Sequence, residues 1–282
     1  MSLTVLDRRD AFRKVLDAER ASGRRIGLVP TMGSLHAGHI SLMERAAREC
    51  EVVVATLFVN PLQFGPAEDL ETYPRDPEGD RAKAEAAGVA YLFAPSQAEM
   101  FPDAVVTVVS VTPLTDVLEG AIRPGHFQGV ATIVTKLLSL AGPCRAYFGE
   151  KDFQQLAIVR RLTADLSLPA EIVGCPTVRA LDGLALSSRN AYLTPEERAV
   201  APTLYRALQA GATAAAHETD AGAVRSVMSA TVADQRALQL QYAEVVDPVD
   251  LSPLTTLDRD ARLLIAARLG RTRLIDNVAA TH

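Results

Sequence analysis

Residues 52–59, Val-Val-Val-Ala-Thr-Leu-Phe-Val, are almost wholly apolar on both alternating faces. A strand with one wet face alternates apolar and polar residues. A run apolar on both faces needs cover on both sides, which is the position of a central strand in a parallel sheet wrapped by helices. The rest of the first half suits that architecture. Strand-like runs are predicted over 25–29, 52–59, 89–93, 105–109, 144–148 and 171–175, and helical spacing recurs over 8–22, 39–49, 76–87, 127–141 and 152–167. Right-handed crossovers then predict a doubly wound sheet with its ligands at the strands' carboxyl ends, near a topological switch point.

After residue 190 the texture changes. Thr194-Pro195-Glu196-Glu197 offers an N-cap, a proline at the first helical position and acidic first-turn residues. An alanine-rich helix is predicted from there to about residue 216 and another over 221–236, followed by strand-like runs at 240–246, 262–267 and 272–275. The expected organisation is a large α/β domain, residues 1–178, and a smaller C-terminal α+β lid, residues 179–282. A chain of 282 residues exceeds what one core usually serves, in line with two domains.

With 29 basic against 34 acidic residues, the formal charge of −5 gives no basic footprint for nucleic acid. Cys50, Cys144 and Cys175 are widely spaced and form no C-x-x-C pair, so they read as reduced thiols rather than metal ligands, and no metal site is expected from protein residues. The N-terminal residues lack a signal-peptide core, and no apolar run is long enough to span a bilayer, so a cytoplasmic protein is expected.

Chemistry concentrates in four segments that follow predicted strands. The first is Pro30-Thr31-Met32-Gly33-Ser34-Leu35-His36-Ala37-Gly38-His39, a glycine-bearing strand-to-helix turn. Backbone N–H groups and a helix dipole there face an anion, and two histidines add donors to phosphoryl oxygens, pointing to chemistry at the α-phosphate of ATP. The second, Asn60-Pro61-Leu62-Gln63, carries neutral amides suited to a small hydroxylated carboxylate. Tyr73-Pro74-Arg75 and Arg123-Pro124-Gly125-His126 are loops able to supply a cation or donor. The third, Gly149-Glu150-Lys151-Asp152, places a mobile point charge just after a strand. The fourth, Asp182-Gly183-Leu184-Ala185-Leu186-Ser187-Ser188-Arg189-Asn190, sets two hydroxyls before a guanidinium in a turn-rich loop.

HxGH together with FVNPLQFG, RPGHF, FGEKDFQQL and DGLALSSRN, in this order, resembles the pantoate–β-alanine ligase family of the HxGH nucleotidylyltransferases, over most of residues 25–193. Further on, the likeness is carried mainly by Arg273-Leu274-Ile275-Asp276-Asn277. The resemblance implies a Rossmann-like fold and an ATP site lined by Met32, Gly33, Ser34, Leu35, His36, Ala37, Gly38 and His39, with His39 as proton donor. It further implies Gly149, Glu150, Lys151 and Asp152 on the nucleotide, and Val178, Leu186, Ser187, Ser188 and Arg189 completing that site. Gln63 and Gln155 would hold pantoate, Gln63 also bordering β-alanine. His39, His36, Lys151 and Arg189 are the expected catalytic set, with Asn60 beside the substrate. ATP, Mg²⁺, pantoate and β-alanine are the implied small molecules, and a homodimer the implied assembly.

The chemistry agrees. A carboxylate is already ionised at neutral pH and needs alignment and charge screening, not a base, to attack the α-phosphate. A plain nucleotidylyltransferase would share the histidine turn but has no evident use for Asn60, Gln63 and Gln155. A non-catalytic nucleotide-binding regulator would have no need of Lys151 and both histidines together.

Overall fold

A computed structural model describes residues 3–66 and 68–280. They cluster into two compact units, the first formed by the described residues up to Glu150 with Gln154–Pro176, the second by Lys151–Phe153 with the described residues from Thr177.

The first unit is built from β1 (Thr4–Leu6), α1 (Arg9–Ala21), β2 (Ile26–Thr31), α2 (Ala37–Glu49), β3 (Val52–Leu57), α3 (Pro77–Ala86), β4 (Tyr91–Phe93), the single turns α4 (Gln97–Met100) and α5 (Glu119–Ile122), α6 (His126–Ala141), β5 (Cys144–Gly149), α7 (Phe153–Asp165) and β6 (Ala170–Cys175). All six strands are parallel, in the order β1-β4-β3-β2-β5-β6. The expected doubly wound sheet is present. Its central strand β3 is buried from Val52 to Thr56, and Phe12 of α1 stacks on Phe93 of β4 at 4.3 Å. The chain steps outward from β2 through β3 to β4, then returns to lay β5 on the other side of β2. The switch point therefore lies between β2 and β5, and the segments following Thr31, Leu57 and Gly149 emerge on one edge of the sheet.

One expected strand is absent and one unexpected strand is present. Residues 105–109 form no strand: Val106 is 92 % and Val108 51 % exposed, and the Val109 N–H donates to Thr132 Oγ1 at 2.9 Å instead of entering a ladder. An apolar run becomes a strand only when something covers and pairs it. Conversely β1, three residues on the sheet edge in register with Tyr91–Phe93, is too short and too exposed to leave an alternation signal.

The second unit holds α8 (Pro195–Val200), α9 (Thr203–Ala215), α10 (Ala221–Ala233) and the strands β7 (Leu238–Val246), β8 (Ala261–Leu269) and β9 (Thr272–Ala280), which form an antiparallel sheet in that order. Its core packs Leu204, Leu208, Val224 and Met228 with Leu263, Ile265 and Leu269. Thr194 and Glu197 close a reciprocal capping box at the start of α8, as the sequence predicts. The single helix expected to run from there to about 216 is two, because Pro202, without an N–H, interrupts the ladder. Among the described residues no helix is long and apolar enough to cross a membrane. All three cysteines are free.

Candidate active site

Between β2 and α2 the two histidines do something the motif alone does not reveal: they cap the helix. His36 is the N-cap, and its Nδ1 accepts the Gly38 N–H at 3.1 Å; the His36 N–H in turn donates to His39 Nδ1 at 3.4 Å, closing an imidazole capping box. A nitrogen that accepts an N–H carries no proton, so the pattern assigns both rings the neutral tautomer protonated at Nε2. The ring centroids stand 4.1 Å apart. Gly38 leaves room for the His36 ring: a Cβ there would lie 2.8 Å from His36 Cε1, so the ring would have to shift.

The turn before the cap is held from outside. Gly33 and Ser34 are left-handed, at φ 87° and 52°. For serine that conformation costs about 1 kcal/mol or more. It is offset by Asp80 of α3, 2 % exposed, whose Oδ2 accepts the Ser34 N–H and whose Oδ1 accepts the Leu35 N–H, each at 2.7 Å. Thr31 and Thr56 stitch the ends of β2 and β3 together, and Thr31 Oγ1 also accepts the Gly33 N–H at 3.3 Å. Asp80 had no signal in the sequence beyond an acidic residue in a helix's first turn.

After β3, the buried Asn60 caps the short 3₁₀ turn Pro61–Gln63 by accepting the Leu62 N–H. Its Nδ2 hydrogens go to Gln63 Oε1 at 3.0 Å and to the Gly129 carbonyl at 3.1 Å. Both amide hydrogens are thus committed inside the protein, and Asn60 acts by orienting Gln63. With Oε1 accepting, Gln63 presents Nε2, 3.1 Å from Met32 Sδ at the start of the histidine turn.

The Arg123-Pro124-Gly125-His126 segment braces the same loop. His126 Nδ1 donates to the Gln63 carbonyl at 2.8 Å and its Nε2 accepts from Arg123 at 2.9 Å, while Arg123 forks onto Glu68 with two 2.6 Å bonds. Burial disfavours charge on Glu68, yet the Arg123 fork outweighs it and holds the carboxyl below its ordinary range. Arg75 is likewise spent on the carbonyls of Leu70, Glu71 and Tyr73.

Burial, reinforced by the Arg123 charge, lowers His126 to about 4 from an ordinary 6.5. A depressed histidine binds more protons unfolded than folded between those values. Its contribution is fully present above pH 6.5 and is lost as pH falls toward 4, amounting to about 3 kcal/mol. Urea midpoints at pH 7 and pH 4.5 should therefore fall farther apart for the unsubstituted protein than for His126→Gln. Equal pH slopes in the two proteins would contradict this.

At the end of β5, Gly149 leads into the 3₁₀ turn Glu150–Asp152. In the second unit, the half-buried Lys151 Nζ lies 3.3 Å from Asp152 Oδ1. The two neighbouring glutamines of α7 part company. Gln154, 4 % exposed, accepts the Glu119 N–H and donates to the Leu114 and Val117 carbonyls, so it pins a loop; Gln155 is only half-buried.

Residues 178–186 form a tight hairpin, with the Leu186 N–H bonded to the Val178 carbonyl at 3.0 Å and Arg179 bridging Ala185. Ser187, which follows it, caps the 3₁₀ turn Ser188–Tyr192 by accepting the Arg189 N–H at 3.3 Å. The hairpin thus delivers Ser187, Ser188 and Arg189 from one rigid base. At that base Arg179 forks onto Asp276 at 2.5 and 2.9 Å and stacks on Tyr205.

A family model described as Pantoate-beta-alanine ligase matches residues 4–279. The chain belongs to that family. It is 50 % identical over 263 residues to the pantothenate synthetase of Herpetosiphon aurantiacus, covering 93 % of this chain and 95 % of that protein. Its fold is similar to the crystal structure of pantothenate synthetase from Thermus thermophilus, with a TM-score of 0.94, 49 % identity and 99 % of each chain covered. It is also similar to the Francisella tularensis pantoate-beta-alanine ligase complexed with beta-gamma ATP and beta-alanine, with a TM-score of 0.80 at 33 % identity over 98 % of this chain and 97 % of that one. The family match thus extends through the C-terminal unit.

Proposed function

We propose that this family member condenses (R)-pantoate with β-alanine at the expense of ATP, giving (R)-pantothenate, AMP and diphosphate through an enzyme-bound pantoyl adenylate. The observation that carries the reading is the imidazole capping box. It fixes both rings as Nε2–H donors at a helix N-terminus, where positive electrostatic potential and fixed N–H groups suit a polyphosphate.

In the first step a pantoate carboxylate oxygen bonds to the α-phosphorus as the bond to the diphosphate oxygen breaks. Gln63, its amide turned by Asn60, and Gln155 hold the pantoate hydroxyls and carboxylate. His36 and His39 donate Nε2–H hydrogen bonds to phosphoryl oxygens as charge moves toward the leaving group; with its ring neutral, His39 serves as a hydrogen-bond donor and keeps its proton. Met32, Gly33, Ser34, Leu35, Ala37 and Gly38, with Gly149, Glu150, Asp152, Val178, Leu186 and Ser187, line the nucleotide. Lys151, Ser188 and Arg189 neutralise the departing diphosphate. Mg²⁺, bound with ATP, would supply further screening of that charge. Among the described residues there is no group of three or more His, Cys, Asp or Glu that could hold a metal ion.

In the second step β-alanine, having lost its ammonium proton to solvent, attacks the acyl carbon beside Gln63 as a free amine. The C–N bond forms as the bond from the acyl carbon to the AMP oxygen breaks, AMP departs, and the nitrogen's surplus proton passes to solvent. The adenylate is prone to hydrolysis, so residues 179–282 are read as a lid that excludes water, and residues 1–178 as the nucleotide- and pantoate-binding domain. A cytoplasmic homodimer belongs to the same reading.

Pantoate-dependent exchange of labelled pyrophosphate into ATP, without β-alanine, tests it. Exchange is expected only when pantoate is present. Exchange without any acid, or none with pantoate, would overturn the adenylate mechanism.

A further inference from the structure

The Asp276-Asn277 pair of β9 has no part in the chemistry above, yet it is among the most heavily bonded buried polar sites in the second unit. Asp276 is 5 % and Asn277 2 % exposed. Asp276 takes the Arg179 fork at the base of the 178–186 hairpin; its Oδ1 also accepts the Asn277 N–H at 2.8 Å. The other hydrogens of the two terminal Arg179 nitrogens go to the Gly183 carbonyl at 3.1 Å and the Asn277 carbonyl at 3.3 Å. The hairpin that ends in Ser187, Ser188 and Arg189 is thus tied to one residue of β9.

The next residue ties down a different segment. Asn277 Oδ1 accepts from Arg262 Nε at 2.7 Å, and its Nδ2 donates to the backbone carbonyl of Lys151 at 2.8 Å. Arg262, 8 % exposed, lies with its guanidinium 4.2 Å from the centre of the Phe153 ring, so the turn is gripped again two residues on. The amide cannot flip without turning its NH₂ toward Arg262 and its oxygen toward a carbonyl. Its orientation is locked by a cation on one side and an acceptor on the other.

We infer that Asp276 and Asn277 are positioning residues for the diphosphate-side donors, Asn277 setting Lys151 through its main chain and Asp276 setting Ser188 and Arg189 through Arg179. The inference rests on the roles proposed above for Lys151 and Arg189. Two adjacent residues of one strand hold both segments, so a rigid β-sheet, not a pair of independent loops, fixes the spacing of the charges. A main-chain displacement of about 1 Å is enough to cost roughly a hundredfold in such a step.

The test is a set of double-variant cycles on pantoate-dependent pyrophosphate exchange. Asn277→Asp keeps the shape and the Arg262 partner but faces the Lys151 carbonyl with a carboxylate oxygen. Its kcat should fall roughly a hundredfold while KM for pantoate stays put. That loss should vanish in a Lys151→Ala background and persist in full in an Arg189→Ala background. Asp276→Asn should show the opposite pairing, silent with Arg189→Ala and additive with Lys151→Ala. Asn277→Ser, neutral and too short to reach the Lys151 carbonyl, replaces Asn277→Asp if thermal unfolding shows that variant unfolded. A harmful Lys151→Ala combined with fully additive doubles, or a change confined to KM for pantoate, would overturn the positioning role alone. A harmless Lys151→Ala would overturn the role of Lys151 and the inference with it.

Discussion

His39→Ala should lower pantoate-dependent pyrophosphate exchange by roughly 10²–10³, about 3–4 kcal/mol of barrier, the loss seen when one preorganised oxyanion donor is removed. The same change should also destabilise the fold by about 1 kcal/mol, because it deletes the acceptor of the His36 N–H from the capping box. His39→Gln separates the two effects. Glutamine at the third helical position reaches back to the N-cap N–H as an ordinary capping box does, so stability should return toward that of the unsubstituted protein. The imidazole donor is still missing, so exchange should stay down. Urea unfolding and exchange measured on both variants check the pair, and a Gln variant with near-normal exchange would remove the imidazole from the mechanism.

The second large effect is expected from a residue with no side chain of its own. A Cβ added at Gly129 in α6 would stand 2.1 Å from the Leu62 carbonyl oxygen and 2.6 Å from the Gln63 nitrogen. These are backbone atoms, so no rotamer change relieves the clash. Alanine ordinarily favours a helix interior over glycine by about 1 kcal/mol. Overpacking against a main chain costs about 3 kcal/mol, so destabilisation wins. The 3₁₀ turn carrying Gln63 must move away from α6, pulling Asn60 off the Gly129 carbonyl. Gly129→Ala should therefore lose about 2 kcal/mol of stability and raise KM for pantoate, with less change in KM for ATP. Equal increases in both KM values would mean that the turn had not moved as a unit.

Much of this protein could be read without coordinates. The unbroken apolar run at 52–59 called for a covered central strand, and β3 is one. The histidine turn, the Thr194 cap and the order of strands and helices rest on interactions a few residues apart, which is why periodicity and capping chemistry reveal them. What failed locally failed for want of a neighbour: the valines at 105–109 look like a strand but no strand among the described residues pairs with them, and three-residue β1 becomes one only against β4.

The candidate site divides along the same line. Residue types and spacing singled out His36, His39, Gln63, Lys151 and Arg189. They could not say that both histidines cap their own helix, that Gln154 braces a loop while Gln155 does not, or that Asn60 and His126 are spent on holding Gln63. Nor could they connect Asp80 with the backbone at 34–35, or Asn277 with a carbonyl 126 positions earlier. The chain order thus determined which chemical groups are present and which secondary elements carry them. Only the packed structure decided which polar groups are consumed as scaffold, because a buried donor or acceptor must find a partner wherever the fold brings one.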